Sequence, residues 1–378
     1  MSSFLWVSGI MFFLGLAYFA VAIFLLSRRH PLKSSVVANP RVAVLVAVRN
    51  EEHYLEGCLQ ALAVQTYPEN LYDVYIIDDR STDGSAAIAR SFEEQYKHFH
   101  VLTVKRDAQN LHGKMNALNM GMQASKAEII LITDADCIVP VSWIENHVAY
   151  FADPVGMVGG LTMLYPFNEL KPARFKDTIW SKVQALDWLF LQSIAAFSSH
   201  YGKPITILGN NFGFRRKAYE QVGGFPALGF SLTEDFLLMK AIEEQTDWKI
   251  IQTLDTGNAI FSYPLADVKT FFSQRLRWIR GGRKARPWGY FIIGLSVLSH
   301  FFILMTIIFR QWTTPAAMGI GLVLGMNYLI IKQGLLRTGI PFLKKYYLHF
   351  ALFHLIYLLI FSFLSILPLR VKWKERSF

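Results

Sequence analysis

The chain has 378 residues, 53% of them apolar and 17% charged, and its 38 basic against 28 acidic side chains leave a net charge of +10. Such a length holds one large domain or two of ordinary size, and so apolar a chain with so few charges suits a membrane partner better than a nucleic acid. The two cysteines, Cys58 and Cys137, stand far apart without metal-ligand spacing, which argues against a disulfide framework or a zinc site and for two small buried thiols.

In chain order, the first element is the run Phe4–Leu26, 23 residues without a charge. At ~1.5 Å per residue it is long enough to cross a hydrocarbon core of about 30 Å. No basic residue precedes it, and it is too long for the apolar part of a cleaved signal peptide, so residues 1–28 are expected to form a transmembrane anchor. The basic stretch "SRRHPLK" follows, and the positive-inside rule then places the next domain in the cytoplasm.

From about Arg41 onward, short branched apolar runs alternate with stretches of helical spacing. "RVAVLVAV", "DVYIIDD", "HVLTVK" and "EIILITD" read as buried parallel strands, with helices starting near Glu52, Gly84, Lys114 and Val141. The alternation predicts an α/β domain over residues 40–270, built on a doubly wound, mostly parallel, Rossmann-like sheet. Ligands of such sheets bind beyond the carboxyl ends of the strands. Acidic residues fall there: Asp78 and Asp79 end one strand, and Asp134 and Asp136 end another. No G-x-G-x-x-G follows the first strand and no G-x-x-x-x-G-K-[ST] occurs, so a phosphate-bearing ligand must be held by another device. "LITDADC" offers one, because two carboxylates one residue apart can turn to a single divalent cation whose shell is completed by water and diphosphate oxygens. The same pair also suits a surface turn, and the pattern alone leaves both readings open.

Further on, "FSLTEDFLLMKAIEE" sets Glu234 and Asp235 at a helix start, where they serve either as capping residues or as a general base. The stretch Ala173–Phe197, with Trp180 and Trp188, reads as a core helix or as one lying in a membrane interface. His200 and Tyr201 beyond it are acceptor contacts or plain loop residues. "FFSQRLRWIRGGRKARPW", residues 271–288, holds six basic and no acidic residues interleaved with aromatic rings. Three runs of spanning length follow, Trp288–Phe309, Gln311–Ile331 and Tyr346–Leu369, so residues 288–370 are expected to be a membrane region of about three helices. Three crossings would carry the basic tail "LRVKWKERSF" to the outer side against its charge, which leaves room for one re-entrant run. Gly321 and Gly325 have the small-xxx-small spacing of closely packed helices, and His349 and His354, five apart, suit packing or an interhelical hydrogen bond.

Seven stretches stand in order from about Val42 to Trp278: "VAVRNEEHYLEGCLQAL", "IIDDRSTDGS", "GKMNALNMG", "ITDADC", "GNNFGFRRKAYEQVGGF", "LTED" and "QRLRW". Together they make the chain resemble the family 2 glycosyltransferases, inverting and metal-dependent enzymes with a GT-A fold. It looks most like their membrane-integrated branch, which includes cellulose, chitin and hyaluronan synthases and ceramide glucosyltransferase. The resemblance implies a role for each match. Asp79, with Asp78 beside it, contacts the base and ribose of a nucleotide sugar, and Lys114 lies near the diphosphate. Asp134 faces the nucleotide or donor sugar, and Asp136 beside it ligates Mg2+ or Mn2+. Asp235, with Glu234 beside it, is the base. Gln274, Arg277 and Trp278 form the Q-x-x-R-W motif, which closes over the diphosphate and reaches the acceptor. The remaining Phe271, Phe272, Arg280, Arg283, Lys284, Arg286 and Trp288 fit an interfacial collar.

The chemistry agrees with these roles. Expelling a nucleoside diphosphate leaves charge on phosphate, which a divalent cation and an arginine stabilise where it develops. The attacking hydroxyl must shed a proton to a carboxylate within reach. The expected function is therefore transfer of a sugar from a nucleotide donor, uridine diphosphate being the family's commonest carrier, to a hydroxyl of a membrane lipid. The alternative is a processive polysaccharide synthase that threads a growing glycan through the membrane. One apolar run before the domain and about three after it is a pattern similar to ceramide glucosyltransferase. The C-terminal runs also hold few charged or amide residues to line a glycan path. No base-reading module accompanies the basic segment, so no nucleic-acid partner is expected. A bacterial plasma membrane, with the catalytic domain on the cytoplasmic side, is the expected location.

Overall fold

The computed structural model describes residues 5–27, 33, 39–108, 110–167, 174–282, 286–367, 372–373 and 376–377. The chain forms two compact units: a helical one of residues 1–29, 176–205 and 264–378, and an α/β one of residues 30–175 and 206–263. In chain order, α1 (Leu5–Leu26) belongs to the helical unit. The α/β unit follows as β1 (Val42–Val48), α2 (Leu55–Ala63), β2 (Tyr72–Asp78), α3 (Ser85–Gln95), β3 (Phe99–Thr103), α4 (Gly113–Ala124), β4 (Ile129–Asp134), β5 (Cys137–Ile138), α5 (Trp143–Val148), β6 (Val155–Gly159) and β7 (Thr162–Met163). The helix α6 (Ile179–Ser199) returns to the helical unit. The α/β unit is completed by β8 (Asn211–Arg215), α7 (Arg216–Gln221), α8 (Gly224–Leu228), α9 (Glu234–Gln245), β9 (Lys249–Gln252) and β10 (Ile260–Ser262). Last come α10 (Val268–Gly281), α11 (Pro287–Ile308), α12 (Thr314–Thr338) and α13 (Tyr347–Ile366).

The α/β unit is built on a seven-stranded sheet in the order β3-β2-β1-β4-β8-β6-β9. The four strands expected from their branched apolar runs form, and β3, β2, β1 and β4 are mutually parallel. In the central strand VAVLVAV both faces are covered, as a parallel strand between helical layers requires. Val44 and Val46 join Leu55, Leu59 and Trp143 in one core, while Leu45 faces α4 so closely that a Cβ on Gly121 would lie 2.9 Å from it. Beyond β4 the sheet is mixed, because β8 runs antiparallel to both β4 and β6. A short second sheet, β5-β10-β7, begins one turn after β4 ends, so Ala135 and Asp136 sit at the corner between the two sheets.

In the helical unit, four helices are long and apolar enough to cross a membrane: Trp6–Leu26, Pro287–Ile308, Thr314–Thr338 and Pro341–Ile366. One precedes the α/β unit in sequence and three follow it, as the apolar runs predict. The close helix crossing is not at Gly321 and Gly325, which are exposed and where an added Cβ would meet nothing within 4 Å. It joins α1 to α12 at Gly15 and Gly319, where an added Cβ on Gly15 would come 2.6 Å from the Gly319 backbone. Spacing finds a small-residue pair, but only the helix's rotation decides which pair faces a partner. A polar path also links these helices: the Tyr18 hydroxyl donates to Asn327 Oδ1 at 2.6 Å, and Asn327 Nδ2 lies 3.5 Å from His300 Nε2.

Residues 176–205 fall within the expected catalytic range of 40–270, yet pack with the helical unit. Of the 21 residues of α6, 17 are buried, so the stretch is a core helix rather than one lying in an interface. Tyr201 stacks on Phe24 at 4.1 Å and donates to its carbonyl, so it is occupied in holding the end of α1. Phe271, expected in a collar, is instead buried at the centre of an aromatic cluster with Trp180, Phe353 and Tyr357. It occupies the inner face of α10, where hydrophobic burial outweighs any interfacial preference. Arg283 and Lys284 of that collar, and most of the basic tail, lie outside the described residues.

Candidate active site

Parallel pairing aligns the strand ends. Val48 of β1 pairs with Asp78 of β2, and Ala47 with Asp134 of β4, so the two acidic strand ends flank the carboxyl end of β1. The chain crosses from β3 on one side of β1 to β4 on the other, making this the point where an open α/β sheet forms its ligand crevice. Asp78 Oδ1 accepts from the Ser81 amide at 3.1 Å, closing the turn after β2. Asp79 is buried; its amide donates to Val48 O, and its carboxylate meets Arg80 at 2.7 Å and Arg49 at 3.6 Å. Arg80 reaches this position from left-handed backbone, φ 60°, and also pairs with Asp107 at 2.6 Å.

Lys114 stands in the first turn of α4, entered through Gly113 at φ 58°. Its ammonium touches Asp134 Oδ1 at 2.7 Å, Glu234 Oε1 at 2.8 Å and the Gly209 carbonyl at 2.9 Å. Three acceptors match the three donors of an ammonium. Burial works to lower the Lys114 pKa, but the two carboxylates outweigh it and hold the group firmly protonated. One side chain thus ties the end of β4 to the start of α9.

Asp235 follows Glu234, and its Oδ1 accepts from the Phe236 amide at 2.8 Å. Thr233 makes no side-chain cap, so part of the capping work does fall to Asp235. Glu234 turns to Lys114 instead. Both carboxylates crowd Gly209: a Cβ there would lie 2.9 Å from Asp235 Oδ2 and 3.2 Å from Glu234 Oε1. Glycine at this position lets the loop backbone lie directly on the two acids. Asp136, half-buried, accepts from the Cys137 thiol at 3.5 Å, and the Cys58 thiol points to the Asp134 carbonyl at 3.6 Å. Both cysteines are free and buried; burial first, then the charges of Asp136 and Asp134, pushes their pKa values up.

Among the described residues, no group of three or more His, Cys, Asp or Glu side chains forms a metal cage. Asp134 and Asp136 nevertheless offer an all-oxygen pair on one turn. That set suits a hard cation whose remaining ligands are substrate phosphates and water.

Gln274, Arg277 and Trp278 lie on α10 in the helical unit, all half-buried. The Trp278 ring lies 5.4 Å from that of Trp188 and 4.3 Å from the guanidinium carbon of Arg275. Direct contacts therefore join Lys114, Asp134 and Glu234, with Asp235 beside them, and strand register places Asp78, followed by Asp79, at the end of β2 on the far side of β1. Sequence reasoning overlooked Gly209 and Asn211, although both lie in the quoted "GNNFGF". Asn211 is a buried hub: its side chain accepts from Trp143 and donates to the carbonyls of Leu161 and Asn258. Two successive asparagines entering a buried strand were the available signal.

Residues 43–223 match the model of the family described as Glycosyl transferase family 2. Among curated relatives, a beta-monoglucosyldiacylglycerol synthase of Synechocystis sp. is 29% identical over 66% of this chain and 49% of its own length. Glycosyltransferase AglE of Haloferax volcanii is 30% identical over 50% of this chain and 56% of its own. The chain thus spans about half the length of these relatives. Among solved structures, the mannosyltransferase PcManGT from Pyrobaculum calidifontis, in complex with GDP-Man and Mn2+, aligns with a TM-score of 0.59 at 20% identity, over 91% of this chain and 96% of that one. The α/β unit has the GT-A fold, and residues 43–223 form a glycosyl transferase family 2 domain.

Proposed function

We propose that the protein is a membrane-bound, inverting glycosyltransferase that moves a sugar from a nucleoside-diphosphate donor to a hydroxyl of a lipid. The observation that carries this reading is the convergence of Asp134, Lys114, Glu234 and Asp235 on Gly209 at the carboxyl end of β4. The four long apolar helices and the relatives named for a diacylglycerol product support a lipid acceptor. A uridine-linked donor is the first to test, with a guanosine-linked one beside it.

In this mechanism Asp79 and Asp78 hold the base and ribose at the end of β2. Asp134 and Asp136 would hold Mg2+ or Mn2+, which when bound supplies positive charge to the leaving diphosphate. Lys114 orients Asp134 while fixing Glu234 against it. Asp235 takes the proton of the attacking hydroxyl, and its bond from the Phe236 amide fixes the carboxylate's direction. Arg277 is assigned to the diphosphate, Trp278 to a sugar face, and Gln274 to a hydrogen bond within the same motif. A single displacement inverts the anomeric configuration, so one base is enough.

The test uses the full chain in lipid nanodiscs with Mn2+ or Mg2+, labelled UDP- and GDP-sugars, and diacylglycerol or another hydroxylated lipid. An organic-soluble product one sugar heavier than its acceptor is the expected result. A water-soluble ladder of high mass would replace the lipid reading with that of a polymer synthase.

A further inference from the structure

We propose that the buried ion pair Asp187–Arg275 is a positioning device for Trp278; its functional consequence rests on the transferase reading above. Arg275 occupies one of the two variable places of the Q-x-x-R-W segment, and the motif itself assigns it nothing. It is 1% exposed, and its Nη2 donates to Asp187 Oδ2 at 2.5 Å. Asp187 is fully buried on α6, and its other oxygen lies 3.7 Å from His354 Nδ1 of α13. These three side chains therefore join three helices at one point.

The guanidinium carbon of Arg275 lies 4.3 Å from the Trp278 ring centroid, 4.8 Å from that of Phe271 and 5.5 Å from that of Tyr357. Trp188, the residue after Asp187, packs its ring 5.4 Å from Trp278. The indole of Trp278 thus rests on a guanidinium and a second indole, and both supports are tied to the position of Asp187.

Stability does not explain this arrangement. Removing two charges from water is expensive, and well-packed apolar residues of the same volume often hold helices together as well or better. Here Arg275 Nε and Nη1 have no hydrogen-bond partner among the described residues, which adds a further penalty. What the pair supplies is direction. A planar guanidinium anchored by a carboxylate presents one flat face at one angle, which neither lysine nor an apolar side chain can do. A slip of one residue along α10 would turn it by about 100° and take Trp278 off both supports.

The test replaces the pair with apolar residues of similar volume, D187L/R275M, in the full chain in nanodiscs. Labelling with 5-fluorotryptophan gives a readout independent of catalysis, the Trp278 resonance being assigned by its loss in W278F. The expected result is a thermal midpoint close to or above the parent's, a donor KM within about twofold, and a kcat lower by about tenfold or more, with the Trp278 resonance moved. In the W278F background, the same replacement should lower kcat by less than about twofold, because the pair acts through that ring. An unmoved resonance, a kcat within twofold of the parent, or a midpoint and kcat that fall together would overturn the proposal. If D187L/R275M does not fold, R275K serves instead, keeping the charge but not the flat face, and the same resonance and kcat decide. A parent chain that transfers no sugar would sink the transferase reading, while the resonance would still decide the positioning claim.

Discussion

Lys114 and Arg275 are both cations set against carboxylates, one in each unit, and they are built to different ends. Lys114 keeps 16% of its side chain exposed, satisfies all three donors and sits where strand ends open toward a ligand. Arg275 is sealed, meets one carboxylate, leaves two nitrogens without partners among the described residues and spreads its flat face over aromatic rings. A satisfied, partly exposed cation fixes the geometry of the carboxylates around it. A sealed, under-satisfied one fixes the angle of a helix.

The largest effect that would sharpen this contrast is expected beside Lys114. Asp235→Asn should lower turnover by about 10²–10⁴ while nucleotide binding, measured by titration, stays near the parent's; retained turnover would remove Asp235 as the base. Next comes Arg275→Ala, which leaves the buried Asp187 carboxyl without its guanidinium. It should cost about 3–5 kcal/mol, read as a large fall in thermal midpoint, whereas Lys114→Met should cost less stability and more turnover. Equal midpoints for the two variants would break the comparison.

A third effect depends on pH and belongs to the α/β unit alone. Burial lowers the pKa of His147 to about 4, against the opposing hydrogen bond that its Nε2 donates to Asn211 Oδ1. Between pH 6.5 and 4 the unfolded chain then binds a proton that the folded chain refuses. This contribution is full above pH 6.5 and disappears as the pH falls through that window, by up to about 3 kcal/mol. The midpoint of the α/β unit should follow this slope, and His147→Gln should flatten it. The smallest effect is expected at Gly209→Ala. The added methyl group meets Asp235 Oδ2 at 2.9 Å, so the carboxylate must shift. The fold should persist, with turnover down about tenfold.

The two units also differed in how much of them could be read from sequence. Strands β1, β2 and β4 were legible because strands inside a parallel sheet need branched apolar runs, and these runs, like that of the edge strand β3, ended at an acid or a basic residue. The antiparallel β8 was not, since Asn211–Arg215 takes its direction from β4 and β6 rather than from its own residues. Local pattern likewise placed Lys114, Asp134 and Glu234 on helix and strand ends. It could not show that one ammonium joins acids so far apart in the chain. In the helical unit, apolar length gave the four long helices but not their rotations. Gly321 and Gly325 therefore looked like the crossing that Gly15 and Gly319 make, and Phe271 looked interfacial. The lone acid in "VQALDWLF" was the available sign of Asp187, because a carboxylate in an apolar helix needs a partner.

The contact between Gly15 and Gly319 has a consequence for the order of synthesis. Most of the chain separates the two glycines, so α1 leaves the ribosome long before α12 exists. During that interval its glycine face and the Tyr18 hydroxyl, later bonded to Asn327, lack the partners that α12 supplies. The earliest of the four long helices therefore completes its native contacts only once α12 has been made. Assembly of the helical unit is thus timed by its C-terminal half.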